Sequence, residues 1–330
     1  MKKSLLSVLL IVSVSLCACA SDGSGDFGLS SLPKVTTIEN PEIDTALSDS
    51  PTVISTKTGR DNSPVCLENT APGTLSEGNE YAVIDYSNAS EGYIMVNYLG
   101  TSTNVKLQIT GPNRVTYTYS ISNGFAAFPL TSGNGNYEIS VCENIEGTKY
   151  SLAYCTHLNF DNISEFGPYL YPNQNVNFTK DSKVVTKAAN LAAYCETDLD
   201  VVTNVYNYII KNITYDYDKA NTVKSWYVTD VDEILLSGTG ICLDYASVMT
   251  SMLRSQQIPT RLEVGYVGKD MVYHAWISVY IKEVGWLNGI IQFNGKEWSL
   301  VDPTFGASTN ERTLKEYIGD GSNYSTKYVY

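Results

Sequence analysis

The stretch GTGICLDYASVMTSMLR runs from Gly238 to Arg254. Two glycines interrupt the chain. Leu243, Ala246, Met249 and Leu253 then recur at three- and four-residue steps, with Val248 and Met252 beside them. That spacing predicts a helix from Cys242 with one buried face, ending before Pro259. Cys242 falls in its first turn, where unpaired N–H groups and the positive end of the macrodipole stabilise a thiolate and help bind an oxyanion. The glycines upstream let a substrate backbone come close. Taken alone, Cys242 reads more simply as a small buried residue.

Two further segments follow. In VYHAWISVYI (Val272 to Ile281), His274, Trp276, Ser278 and Tyr280 alternate with Ala275, Ile277, Val279 and Ile281. This predicts a strand whose aliphatic side faces a core and whose other side carries His274. A histidine near a strand start can reach a helix N-terminus packed on that sheet; a surface histidine is the plainer reading. The chain has two histidines, so a general base is chosen between His157 and His274. His157 ends a predicted strand with no ligand cluster near it, which reads as structural or exposed. In WSLVDPTF (Trp298 to Phe305), Asp302 ends a strand before Pro303, which holds it extended and stops pairing. A carboxylate there can orient an imidazole; an Asp-Pro turn is the alternative.

Around these segments the chain changes character along its length. Helical periodicity runs from Val184 to Tyr194 and from Asp200 to Lys211, with Val201, Val205, Tyr208 and Ile209 on one face. Thr229-Asp230-Val231-Asp232 matches a capping box before Ile234. Strands are predicted after Pro259 at Arg261 to Val267, Tyr273 to Ile281, Ile290 to Phe293 and Trp298 to Val301. Helices followed by strands give an α+β domain over about 161–330. Before it, about seven short alternating segments between Tyr81 and Cys155 suggest a small antiparallel β-sandwich over about 76–160. That region reads equally as a substrate or cell-wall binder and as a spacer.

Together the C-terminal segments resemble the transglutaminase-like superfamily, a papain-related thiol fold. The resemblance rests on Gly238-Thr-Gly240-Ile-Cys242, Pro259-Thr-Arg261, His274-Ala275-Trp276 and Asp302-Pro303-Thr304, with Asn212-Ile-Thr-Tyr-Asp216 upstream, and covers roughly residues 185 to 310. It implies Cys242 as nucleophile, His274 as base and then acid, and Asp302 as the orienting carboxylate. It further implies acyl transfer from a peptide or glutamine-type amide through a thioester. Either water or an amine then resolves the thioester, and no motif chooses between them. The Cys242 N–H is the expected oxyanion donor; Trp226 or Tyr215 offers a side-chain donor. A catalytically inactive surface-binding protein on the same fold is the alternative, and the complete triad argues against it. The papain-type Cys-Gly-Ser-Cys-Trp signature is absent. One cysteine and one histidine fall short of a zinc site, and Gly238 and Gly240 lack the rest of a phosphate loop. No cofactor or metal is therefore expected.

The N-terminus reads as a targeting segment. Lys2 and Lys3 precede an apolar run from Leu5 to Leu16, too short to span a bilayer. Leu16-Cys17-Ala18-Cys19 resembles a bacterial lipobox, which implies a signal peptide over residues 1–18 and lipidation of Cys19. The expected location is outside the cytoplasm, anchored to the membrane by lipid, or secreted where an ordinary signal cleavage applies. Residues 19–75, rich in Ser, Thr, Gly, Asp and Pro, read as a flexible tether. The formal charge of −13 argues against nucleic acid as a partner. A protein or peptide substrate, from the cell envelope among other sources, fits best. Beyond the signal lie Cys66, Cys142, Cys155, Cys195 and Cys242. An odd count leaves one thiol over: Cys242 is the candidate free thiol, and Cys142 and Cys155 read equally as a bridge or as two buried thiols.

Overall fold

The computed structural model describes residues 59–224, 226–268, 271–282, 285–288, 292–293, 298–299, 303–308 and 323–330. Cys19 and Asp302 lie outside these residues. The described chain forms two compact units: residues 70–165, and residues 59–69 together with 166–330. The class is the mixed helix-and-sheet arrangement expected, with a sheet-rich region first.

The first unit holds two four-stranded antiparallel sheets. One has the order β1 (Ser76–Gly78), β2 (Ala82–Asp85), β3 (Tyr93–Tyr98), β6 (Phe125–Pro129). The other has the order β5 (Thr116–Ile121), β4 (Val105–Thr110), β7 (Gly135–Glu146), β8 (Lys149–Phe160). Alternation sets the buried faces: Val105, Leu107 and Ile109 are buried while Lys106 and Gln108 are not. Burying each such aliphatic side chain contributes roughly 1.5–3 kcal/mol. The sheets meet through Tyr119 and Phe128, whose rings lie 4.8 Å apart. They also meet through Tyr98, whose hydroxyl donates to Glu143. His157, on β8, is paired with Glu138 of β7, and its side chain is 72% exposed. Cys142 and Cys155 are both free; Cys142 is paired with Leu152 and Cys155 with Ser140, so neither cysteine stands opposite the other in the ladder.

The second unit is built around one helix. α1 (Lys183–Ala192), α2 (Asp198–Asn212), α3 (Tyr217–Thr222) and α4 (Val231–Ser237) precede α5 (Cys242–Arg254), and α6 (Pro303–Ser308) follows it. β9 (Thr214–Tyr215) pairs in parallel with β10 (Thr239–Gly240). A four-stranded antiparallel sheet has the order β13 (Gly285–Asn288), β12 (Val272–Ile281), β11 (Thr260–Val267), β16 (Tyr324–Val329). β14 (Gln292–Phe293) pairs with β15 (Trp298–Ser299). α5 packs against α1, α2, α4, α6, β11 and β12. Every residue from Asp244 to Arg254 is buried.

The expected single buried face of α5 is thus wrong. Its polar residues are internal too: neighbouring segments satisfy Asp244, Ser247 and Arg254, while the hydroxyls of Thr250 and Ser251 are buried with no partner among the described residues. Ser247 donates to the Asn175 carbonyl at 3.0 Å. The Arg254 guanidinium donates to the main-chain oxygens of Thr260, Tyr171 and Tyr330 at 2.6–3.0 Å. Residues 59–69, which composition assigns to the tether, are also bound to this unit. Arg60 pairs with Asp198 at 2.7 Å, Asn62 donates to the Cys195 carbonyl at 3.0 Å, and the Val65 N–H donates to Ser255 at 2.8 Å. Polar composition reads as loop, but it cannot show that a distant surface offers partners.

Caps move two helix starts. α2 begins at Asp198, because Thr197 and Asp200 bond each other's backbone N–H at 3.1 and 2.9 Å. At α4 the cap is Asp230, which accepts from Asp232 and Glu233 at 3.1 and 3.0 Å. Thr229 is left with another task.

Arg254→Met should lower stability by about 3 kcal/mol or more, since three carbonyls lose a charged donor in a dry site. A fall in the urea midpoint with unchanged slope is the expected result; an unchanged midpoint contradicts the role given to this side chain.

Candidate active site

Cys242 is the first residue of α5 and is half-buried. The segment before it is held by β9: the Thr214 N–H donates to Gly238 at 2.8 Å, and the Asp216 N–H to Gly240 at 2.9 Å. Both glycines answer to this geometry. Gly238 closes α4 in the left-handed region at φ 65°, a conformation that costs a residue with a Cβ. A Cβ on Gly240 would stand 2.8 Å from Cβ of Asp244. Open space for a substrate backbone is therefore not what these two glycines provide.

At the helix start, Asp244 and Tyr245 donate their N–H groups to the Ile241 carbonyl. The N–H groups of Cys242 and Leu243 have no acceptor among the described residues. They are the orphan donors of a helix N-terminus, beside the thiol.

Asp244 was not among the residues singled out from sequence. Its side chain is 0% exposed. Oδ2 accepts from the Ile241 N–H at 2.9 Å and from Lys219 Nζ at 2.7 Å; Oδ1 accepts from the Tyr227 hydroxyl at 2.8 Å and from Thr229 Oγ1 at 2.7 Å. Lys219 Nζ also donates to the Tyr227 hydroxyl at 2.7 Å. Burial pulls the Lys219 ammonium down, and hydrogen bonds to Asp244 and Tyr227 more than offset it, leaving it above the ordinary lysine value. Burial pushes the Tyr227 phenol up. The available signal was an acidic residue at the third helical position after a glycine break, where it can reach back to the N-cap amide. Nothing local names Lys219, Tyr227 or Thr229 as its partners.

His274 lies in β12 opposite Gly265 of β11 and is 2% exposed. It is not a surface histidine. Trp276, on the same side of the strand, is buried with its ring edge-on to Tyr324 at 4.9 Å and roughly parallel to His274 at 6.4 Å. α5 packs on β12, so the helix that opens with Cys242 and the strand that carries His274 are neighbours. Asp302 lies outside the described residues, but Pro303 after it opens α6, which packs against α2, α5 and β9. Arg261, from the Pro-x-Arg segment, sits over the Tyr169 ring at 4.7 Å. Of the two suggested side-chain oxyanion donors, Trp226 is 63% exposed and Tyr215 is buried.

Residues 185–289, from within α1 to the end of β13, match the family model described as the transglutaminase-like superfamily. This segment is a transglutaminase-like domain. It contains Cys242 and His274 and stops short of Asp302. No curated protein matches the chain. Among solved structures it is similar to a candidate cysteine protease from Cytophaga hutchinsonii, at 14% identity over 78% of this chain and 81% of that one, TM-score 0.34. A candidate protease from Parabacteroides distasonis is 16% identical over 48% of this chain and 38% of that one, TM-score 0.28. Red sea bream transglutaminase is 12% identical over 64% of this chain and 48% of that one, TM-score 0.22. TM-scores this low leave the family match and the residues themselves as the ground for function.

Gly240→Ala should destabilise the transglutaminase-like domain by about 1–3 kcal/mol, because Asp244 is pinned by four donors and cannot yield to the new methyl. A lower thermal midpoint is expected; an unchanged one means that the helix start can shift.

Proposed function

We propose that the protein is a thiol acyl-transfer enzyme acting on peptide or glutamine-type amides. In this reading Cys242 is the nucleophile, His274 the base and then acid, and Asp302 the carboxylate that orients His274. The observation that carries it is a half-buried cysteine opening a buried helix, beside two N–H groups without acceptors among the described residues, on a helix packed against the strand of a buried histidine. The match to the transglutaminase-like superfamily supports it independently.

The chemistry follows from those groups. The Cys242 thiolate attacks the amide carbonyl, and the Cys242 N–H stabilises the oxygen as it gains charge. The C–N bond breaks, the imidazolium of His274 gives its proton to the departing amine, and a thioester remains. His274 then takes a proton from water or an amine, which attacks the thioester and frees Cys242. Water makes the enzyme a peptidase or amidase; an amine makes it a transamidase.

Alkylation by iodoacetamide near neutral pH tests the nucleophile. Burial pushes up the thiols of Cys66 and Cys195, and that of Cys142 to about 11, so these compete poorly. Cys242 should react faster than a free thiol, and His274→Ala should slow it at least tenfold. Equal rates in both proteins would sink the catalytic reading. Cleavage of a glutamine-containing peptide with a fluorescent amine present reads the acceptor, and Cys242→Ala should abolish both products.

The lipobox resemblance of Leu16-Cys17-Ala18-Cys19 supports a location for this chemistry outside the cytoplasm, with the protein held to the membrane through a lipid on Cys19. No helix among the described residues is long and apolar enough to cross a membrane. Cys19→Ala should move the protein from the membrane fraction to the soluble fraction; retention in the membrane contradicts the lipid anchor.

A further inference from the structure

We propose that Lys219 and Asp244 are positioning residues for Cys242: an ion pair between a partly exposed ammonium and a fully buried carboxylate that fixes the turn carrying the thiol and cancels a carboxylate charge two residues away from it. This deepens the acyl-transfer reading and rests on it.

The geometry shows a clamp on both flanks of Cys242. On its N-terminal side, the Gly240 carbonyl accepts from the Asp216 N–H at 2.9 Å. On its C-terminal side, Asp244 accepts from Lys219 Nζ at 2.7 Å. Asp216 and Lys219 belong to one short turn, because Asp216 caps α3 by accepting the Lys219 N–H at 2.8 Å. A single turn of chain thus grips the residues two before and two after the thiol. Asp244 closes the loop from inside by accepting the Ile241 N–H at 2.9 Å.

The charge argument is separate. An acidic side chain in the first turn suits the helix dipole, but an uncompensated buried anion in the same turn disfavours a thiolate. Lys219 removes that conflict. Its ammonium meets the carboxylate directly and lies over the Tyr227 ring at 4.4 Å. All four neighbours of Asp244 donate, so both of its oxygens are filled. None of these bonds uses the N–H groups of Cys242 and Leu243, which stay available to a reacting oxygen. Asp244 therefore holds the turn without occupying the donors that the chemistry needs.

The ion pair can be split in two ways with opposite consequences. Lys219→Met leaves the carboxylate buried and unpaired. Combining it with Asp244→Asn removes both charges. The Asn oxygen can still take the Ile241 N–H, and its amide can donate to the hydroxyls of Tyr227 and Thr229, which accept as readily as they donate. The experiment measures the iodoacetamide rate at Cys242 in the full chain by peptide mapping, with near-ultraviolet circular dichroism to verify folding. Lys219→Met should slow alkylation about tenfold, and the double variant should return it to within about threefold of the wild type. A purely structural role would leave the double variant, which loses more bonds, at least as slow as the single. That outcome overturns the proposal, as does a folded Lys219→Met protein that reacts like the wild type. Should Lys219→Met fail to fold, Lys219→Gln, which keeps a donor without the charge, is read in its place. A wild-type Cys242 no faster than a free thiol would instead remove the enzymatic reading, so the two failures are told apart.

Discussion

A carboxylate with no exposed surface stays in a protein interior only when donors fill its oxygens. Asp244 meets that condition with one backbone N–H, one ammonium and two hydroxyls drawn from three separate stretches of the chain. The start of α5, the turn of α3, and the stretch around Tyr227 and Thr229 are all arranged by it. Arg254 does the same at the other end of the helix, where its guanidinium gathers the carbonyls of Tyr171, Thr260 and Tyr330. Negative charge at the N-terminus and positive charge at the C-terminus also suit the dipole. A central helix surrounded by other elements is thus fixed along its axis by two buried charged residues, and the residue at its leading end is Cys242.

This arrangement explains how a cysteine with ordinary sequence neighbours becomes a candidate nucleophile. The helix cannot slide or rotate without orphaning a charge. The first-turn donors keep their position relative to the thiol, and the strand that carries the buried His274 packs against the same helix. The glycines of the Gly-x-Gly-x-Cys segment belong to the same construction. One turns the chain out of α4 in a left-handed conformation, and the other makes room for the Asp244 side chain.

Much of the architecture was legible in the alternation of residue types. Val105, Leu107 and Ile109 read as one side of a strand, and that side is buried. The seven segments of the β region appear as strands, with β1 in addition and with β7 and β8 running past their predicted ends. Those extensions pass through polar residues such as Asn144 and Asn159, whose periodicity is too weak to announce a strand but whose partners across the ladder exist. Helix α5 was legible in its existence and misread in its environment. Periodicity detects an apolar stripe, and a helix whose polar side is also buried shows the same stripe.

The sequence by itself determined the order Cys242, His274, Asp302, the helix that starts at the cysteine, the strand that carries the histidine, and the likeness to a transglutaminase-like domain. These are local properties, set by spacing and by the chemistry of neighbouring residues. Only the tertiary structure decided that His274 is buried, that α5 is enclosed on every side, and that Asp244 faces Lys219, Tyr227 and Thr229. Burial and ion pairing join residues tens of positions apart through folding, and no local pattern in a chain records which distant donor a buried carboxylate will meet.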